Sequence, residues 1–158
     1  MATMNGKTPG SFPQVRRLKD AQALRSRLAD LGLELPVDDE VDSTGALAEP
    51  LDHAGWQLGN RFAILPMEGW DGTPDSRPSD LVRRRWSRFG ASGAALVWGG
   101  EAVAVHPDGR ANPNQLCIGE HSGADLAELR RVVVDARRDA GHEGPAVIGL
   151  QLTHSGRW

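Results

Sequence analysis

The chain has 158 residues, 39% of them hydrophobic and 25% charged, proportions that fit one globular domain and exclude a chain disordered throughout. A formal net charge of -3 gives no broad positive field, which argues against nucleic acid and anionic membranes as partners. A single cysteine, Cys117, excludes an internal disulfide framework, and with no apolar run of signal-peptide or membrane-spanning length the expected setting is the cytoplasm.

Residues 1–59 read as a flexible lead, an amphipathic helix and a connector. The opening is rich in Gly, Pro, Thr and Ser and has no apolar period. Leu24, Leu28 and Leu31 then recur at helical spacing over residues 18–31, and Gly32 and Pro36 supply a stop. Residues 37–55 are acidic, broken by Gly and Pro, and read as irregular.

From residue 60 to 158 short apolar runs alternate with helical ones. Residues 61–67 (RFAILPM) form a strand candidate ending in a proline-containing loop. Val82, Trp86 and Phe89 share a helical face, with Ser79 placed to cap the start and Gly90 the end. A second strand, residues 94–98, leads into a long polar loop over residues 99–121, whose length invites a functional reading. Ser122 and Asp125 have the spacing of a capping box variant, Leu126, Leu129, Val133 and Ala136 line a second helix, and Gly141 closes it. The last apolar run, residues 146–152, is a third strand.

Strand, helix, strand, helix, strand is the order of right-handed βαβ units, which lay strands parallel in one sheet. In such sheets ligands sit at the carboxyl ends of the strands. Three segments occupy those ends: Pro66-Met67-Glu68-Gly69-Trp70, Gly99-Gly100-Glu101-Ala102, and Gln151 through Arg157 with the sequence QLTHSGR.

Other features read as structural. Arg83, Arg84 and Arg85 sit on a helix whose outer face must be solvated, and Cys117 with His121 lacks the third and fourth ligands of a zinc site, so no metal is expected. Glu101 and Arg157 read as scaffold charges, and His154 as a ligand-side group, a support or a buried loop histidine, outside catalysis. Gln151 alone on an apolar strand reads as a core amide bonded to a neighbouring backbone.

The three segments, in this order, resemble the old yellow enzyme family of NADH:flavin oxidoreductases. The first strand runs from Asn60-Arg61 to Pro66-Met67. The second ends in Glu101-Ala102 and leads to Val105-His106-Pro107-Asp108-Gly109-Arg110, and the third carries Gln-Leu-x-His-x-Gly-Arg. The resemblance covers residues 60–158. It implies an α/β fold, the amino-terminal part (about three βα units) of a TIM (β/α)8 barrel preceded by a short helical extension, the chain stopping after the third strand. It further implies FMN as cofactor, NAD(P)H as electron donor and a small-molecule electron acceptor such as an activated alkene, in the complete protein rather than in this chain alone. The flavin-contacting positions would be Pro66, Met67, Glu68, Ala102 and Gln151, with Glu68 standing where many relatives have Thr or Cys. The family's substrate-binding pair lies on a later strand, and its tyrosine proton donor has no counterpart in a sequence without tyrosine, so no catalytic residue is assigned. The other reading of the residues is a non-catalytic half-barrel module that pairs with another chain.

Overall fold

The computed structural model describes residues 14–156. The chain divides into two units, Met1–Asp42 and Ser43–Trp158. In the first, a 3-10 turn at Val15–Arg17 precedes helix α1, Ala21–Asp30, whose first turn is capped by Asp20 accepting from the Ala23 N–H at 2.7 Å. The helix ends where the sequence places its stop, with Gly32 at a φ of 67°. Arg25 holds the segment that follows, donating to Asp39 and to the Val37 carbonyl. The flexible lead expected over the first residues lies outside the described residues, as does Arg157.

The second unit opens with an element the sequence reading missed. Strands β1 (Leu51–His53) and β2 (Trp56–Leu58) pair antiparallel inside the stretch read as a connector. Their two-residue turn, Ala54-Gly55, has φ of 49° and 81°, the positive pair that twists with the strands; an alanine first in that turn hides it from pattern reading.

A three-stranded parallel sheet follows, in the order β3 (Ala63–Ile64), β4 (Leu96–Ala104), β5 (Val147–Thr153). Helices α2 (Asp80–Ala91) and α3 (Ser122–Asp139) make the crossovers. The core lies between these helices and one face of the sheet: Val82 and Trp86 from α2, Val97 and Val103 from β4, Leu129 and Val133 from α3, with Leu116 from the loop after β4. This is an α/β arrangement, and no barrel closes among the described residues.

Local chemistry explains the helix ends. Ser79 caps α2, its Oγ accepting from the N–H groups of Leu81 and Val82. Gly90 does not end that helix as expected. It is buried inside it, where α3 crosses so closely that a Cβ would collide with the Val133 carbonyl. The expected capping box of α3 is also absent: the Ser122 hydroxyl accepts from Gly119 N, His121 occupies the cap, and Asp125 turns to Arg77 instead. That pairing is bidentate, at 2.9 and 3.0 Å, and a buried carboxylate satisfied by a guanidinium outcompetes a cap.

Two strand boundaries differ from the sequence reading. The first strand pairs in ladder register at Ala63 and Ile64, and beyond them the Met67 carbonyl meets β4, accepting from the Ala102 N–H. The second continues past Trp98 to Ala104. Trp98 pairs with Gly149 and Ala102 with Gln151, so Gly99, Gly100 and Glu101 together face the single residue Leu150. This bulge lets the strand bend and resume.

Candidate functional site

The bulge draws three strand ends together. Gly99 has a φ of 56°, and a Cβ built on it would lie 2.7 Å from Pro66 Cβ, 2.8 Å from Gln151 N and 3.0 Å from Gln151 Cβ. Only glycine accommodates both the backbone angle and that approach. The chain after β3, the bulge in β4 and Gln151 in β5 thus meet at one place, and with them the three segments singled out in the sequence.

Pro66 is half-buried there, while Met67 is 74% exposed. The Met67 carbonyl accepts from the Ala102 N–H at 3.1 Å, and the Ala102 carbonyl accepts from Gln115 Nε2 at 2.9 Å. Ala102 is therefore buried with both backbone groups engaged. Gln151 is different: its side chain is exposed, and among the described residues its amide has no hydrogen-bond partner. A strand-end amide that both donates and accepts is thereby left open to a ligand. Glu68 is exposed and accepts from the Ser155 hydroxyl at 3.3 Å, bridging the ends of β3 and β5.

Beneath this surface lies a charged cluster. Glu101 is 0% exposed and accepts from Gly69 N at 2.6 Å and from Arg85 Nη2 at 2.7 Å. Arg85 also donates to Asp71 at 2.7 Å and to the Gly100 carbonyl at 3.1 Å. Burial pushes the Glu101 carboxyl above its ordinary value, and the Arg85 charge opposes that without reversing it. Burial would lower the Arg85 pKa, but Asp71 and Glu101 overcome it and raise it. Glu101 is thus a scaffold charge with a helix arginine as its partner. The solvated-face reading of the arginine run fails at Arg85, which follows Val82 by three residues and precedes Phe89 by four, and so points inward with them. Arg83 bridges to Glu128 on α3, and Arg84 is exposed.

The long loop is shorter than the sequence suggested and firmly built. Residues 116–118 bridge to Ala104 in parallel, and Arg110 donates to the Pro107 and Pro113 carbonyls and to Ser76. Gln115, 0% exposed, spans from Ala111 N to the Ala102 carbonyl and Thr153 Oγ1. Sequence reasoning missed Gln115, since an amide in an Asn- and Pro-rich loop carries no periodic signal. His154 is exposed rather than buried, 3.4 Å from Asp108, which His106 also contacts. Those two imidazoles, His106 first, hold the Asp108 carboxyl below its ordinary value. Cys117 and His121 line a cavity of about 170 Å³ with Asp75 and Arg77, and burial raises the Cys117 thiol. Among the described residues no group of three or more His, Cys, Asp and Glu side chains is placed to hold a metal ion. No helix among them is long and apolar enough to cross a membrane.

Parallel strands joined by helices on one face give the class, an α/β arrangement, and the solved structures it resembles make it like a fragment of a TIM-barrel enzyme family. No protein-family model and no curated protein matches the chain. Solved structures do. The old yellow enzyme from Trypanosoma cruzi is 30% identical, with 71% of this chain and 28% of that one covered and a TM-score of 0.51. Morphinone reductase is 30% identical, covering 73% of this chain and 29% of its own, with a TM-score of 0.50. Its complex with tetrahydroNAD gives 28% identity, 72% and 28% coverage, and a TM-score of 0.52. The resemblance to the old yellow enzyme family that the strand-end motifs carry is therefore found in the structure as well. The chain spans less than a third of the length of these relatives, 28% to 29%.

Proposed function

We propose that the strand ends form the ring-side part of an FMN site, and that the complete protein is an oxidoreductase taking a hydride from NAD(P)H and delivering it to an electron-poor acceptor such as an activated alkene. The observation that carries this is the approach at Gly99, which brings Pro66 together with Gln151, whose side-chain amide has no partner among the described residues. The residues present fit a flavin. Its uracil-like edge alternates donors and acceptors, and the Gln151 amide answers both kinds. Met67 offers an exposed, polarisable side chain for contact with a planar ring. Morphinone reductase has been seen with tetrahydroNAD, in keeping with a nicotinamide donor.

Each residue of this chain then has a task. Gln151 orients the ring through its amide, Pro66 and Met67 set its height above the sheet, and buried Ala102 keeps the strand end flat enough for close approach. Glu68 places a carboxylate at the rim of the site. When bound, FMN supplies the hydride chemistry, and the protein supplies binding, orientation and local charge.

The test is titration of FMN into the 158-residue chain, followed by flavin fluorescence. With contacts from three strand ends only, the expected dissociation constant is weaker than about 1 μM, and Gln151→Leu weakens it a further tenfold or so. Binding that ignores the Gln151 substitution would remove the assignment.

A further inference from the structure

The buried ion pair beneath the site has no part in the function just proposed, yet its hydrogen bonds lead to that surface. Helix α2 sends Arg85 toward the bulge, where it meets Glu101, Asp71 and the Gly100 carbonyl. The second Glu101 oxygen accepts the Gly69 N–H. A Cβ on Gly69 would displace this ion-pair cluster, meeting the Arg85 guanidinium and lying 2.5 Å from Glu101 Oε1 and 2.7 Å from Asp71 Oδ1. Two residues earlier, the Met67 carbonyl is fixed by the Ala102 N–H. The backbone is thus anchored on both sides of Glu68, whose side chain meets Ser155 at the end of β5.

Burying the Glu101 carboxylate is costly even with Arg85 beside it, and an apolar pair of similar volume is often as stable, so cohesion alone does not explain this one. We infer that Arg85 and Glu101 are a positioning pair, which sets the Met67-Glu68-Gly69 peptide and through it the place of Glu68 at the rim of the site. The inference rests on the flavin reading for its functional meaning and on the hydrogen bonds alone for its mechanics. Glu101 is fully buried, and Arg85, a quarter exposed, is taken up by four acceptor atoms of three residues.

The experiment uses the ¹⁵N-labelled 158-residue chain without flavin, and reads amide hydrogen exchange and the pH titration of the Gly69 N–H shift. Arg85→Gln is expected to speed Gly69 exchange by about tenfold while Leu129 and Val133 in α3 stay within about twofold. Arg85→Lys keeps the charge but not the fork, and restores part of the protection. The Gly69 shift should follow the ionisation of Glu101, which faces Arg85 from α2 and Asp71 from the loop, and the midpoint should rise in Arg85→Gln as the opposing charge is lost. Should Arg85→Gln not fold, Arg85→Lys and Glu101→Gln carry the same comparison, the latter abolishing the titration seen at Gly69. Unchanged Gly69 exchange, or equal acceleration of every amide, overturns the positioning pair and leaves the flavin reading standing. A chain in which Gly69 responds as stated but FMN never binds supports the pair and overturns the flavin reading.

Discussion

Gly99→Ala is a substitution the fold should tolerate poorly for its size. Two costs add. Alanine at a φ of 56° loses about 1–2 kcal/mol to backbone strain. Its methyl group, 2.7 Å from Pro66 Cβ and 2.8 Å from Gln151 N, adds an overpacking cost of about 1–3 kcal/mol, since backbone cannot move aside like the end of a long side chain. A total of about 2–5 kcal/mol in a chain of this size lowers the melting temperature by about 4–20 °C. Thermal unfolding followed by far-ultraviolet circular dichroism measures it. Gly123→Ala is the control: it lies in α3, has open space around it, and should be neutral or stabilising by up to about 1 kcal/mol. A Gly99→Ala melt within about 2 °C of the unsubstituted chain would refute the claim that the strand ends converge there.

Leu129→Ala empties the middle of the α2, α3 and sheet core, where Leu129 is 0% exposed, and should cost about 2–5 kcal/mol in denaturant unfolding. Asp125→Asn tests the Arg77 pair. The Asp125 carboxyl is held below its ordinary 3.8 chiefly by the Arg77 hydrogen bonds, so its stabilisation is present above pH 3.8 and is lost as pH falls through the depressed value. The melting temperatures of the two forms should therefore converge as the pH is lowered from neutrality to about 2, and a constant gap would count against the pair.

Much of this architecture was legible in the sequence because the helices declare themselves by period. Val82, Trp86 and Phe89 on α2, and Leu129 and Val133 on α3, lie against the sheet as their spacing requires. The strand ends were legible because motifs mark them, and the fold brings all three to one place. What was hidden depends on contacts distant in sequence. The bulge at Gly99, Gly100 and Glu101 looks like the start of a polar loop, since two glycines and a glutamate have no strand propensity; the pairing of Trp98 and Ala102 with β5 on either side and the Arg85 side chain hold them in the strand. Gly90 looks like a helix stop, and only the crossing with α3 shows that it is a packing glycine. Arg85 looks solvated until a carboxylate 16 residues along the chain is folded beneath it.

The central claim is that the converged ends of β3, β4 and β5 are a flavin surface. Its most direct test is a ¹H–¹⁵N correlation spectrum of the 158-residue chain titrated with FMN. The account predicts that the Gln151 side-chain amide and the backbone amides of Met67 and Glu68 shift together with one dissociation constant, and that Gln151→Leu removes the response. Shifts confined to other regions, such as the cavity at Cys117 and His121, or no shifts at all with FMN in millimolar excess, would contradict it.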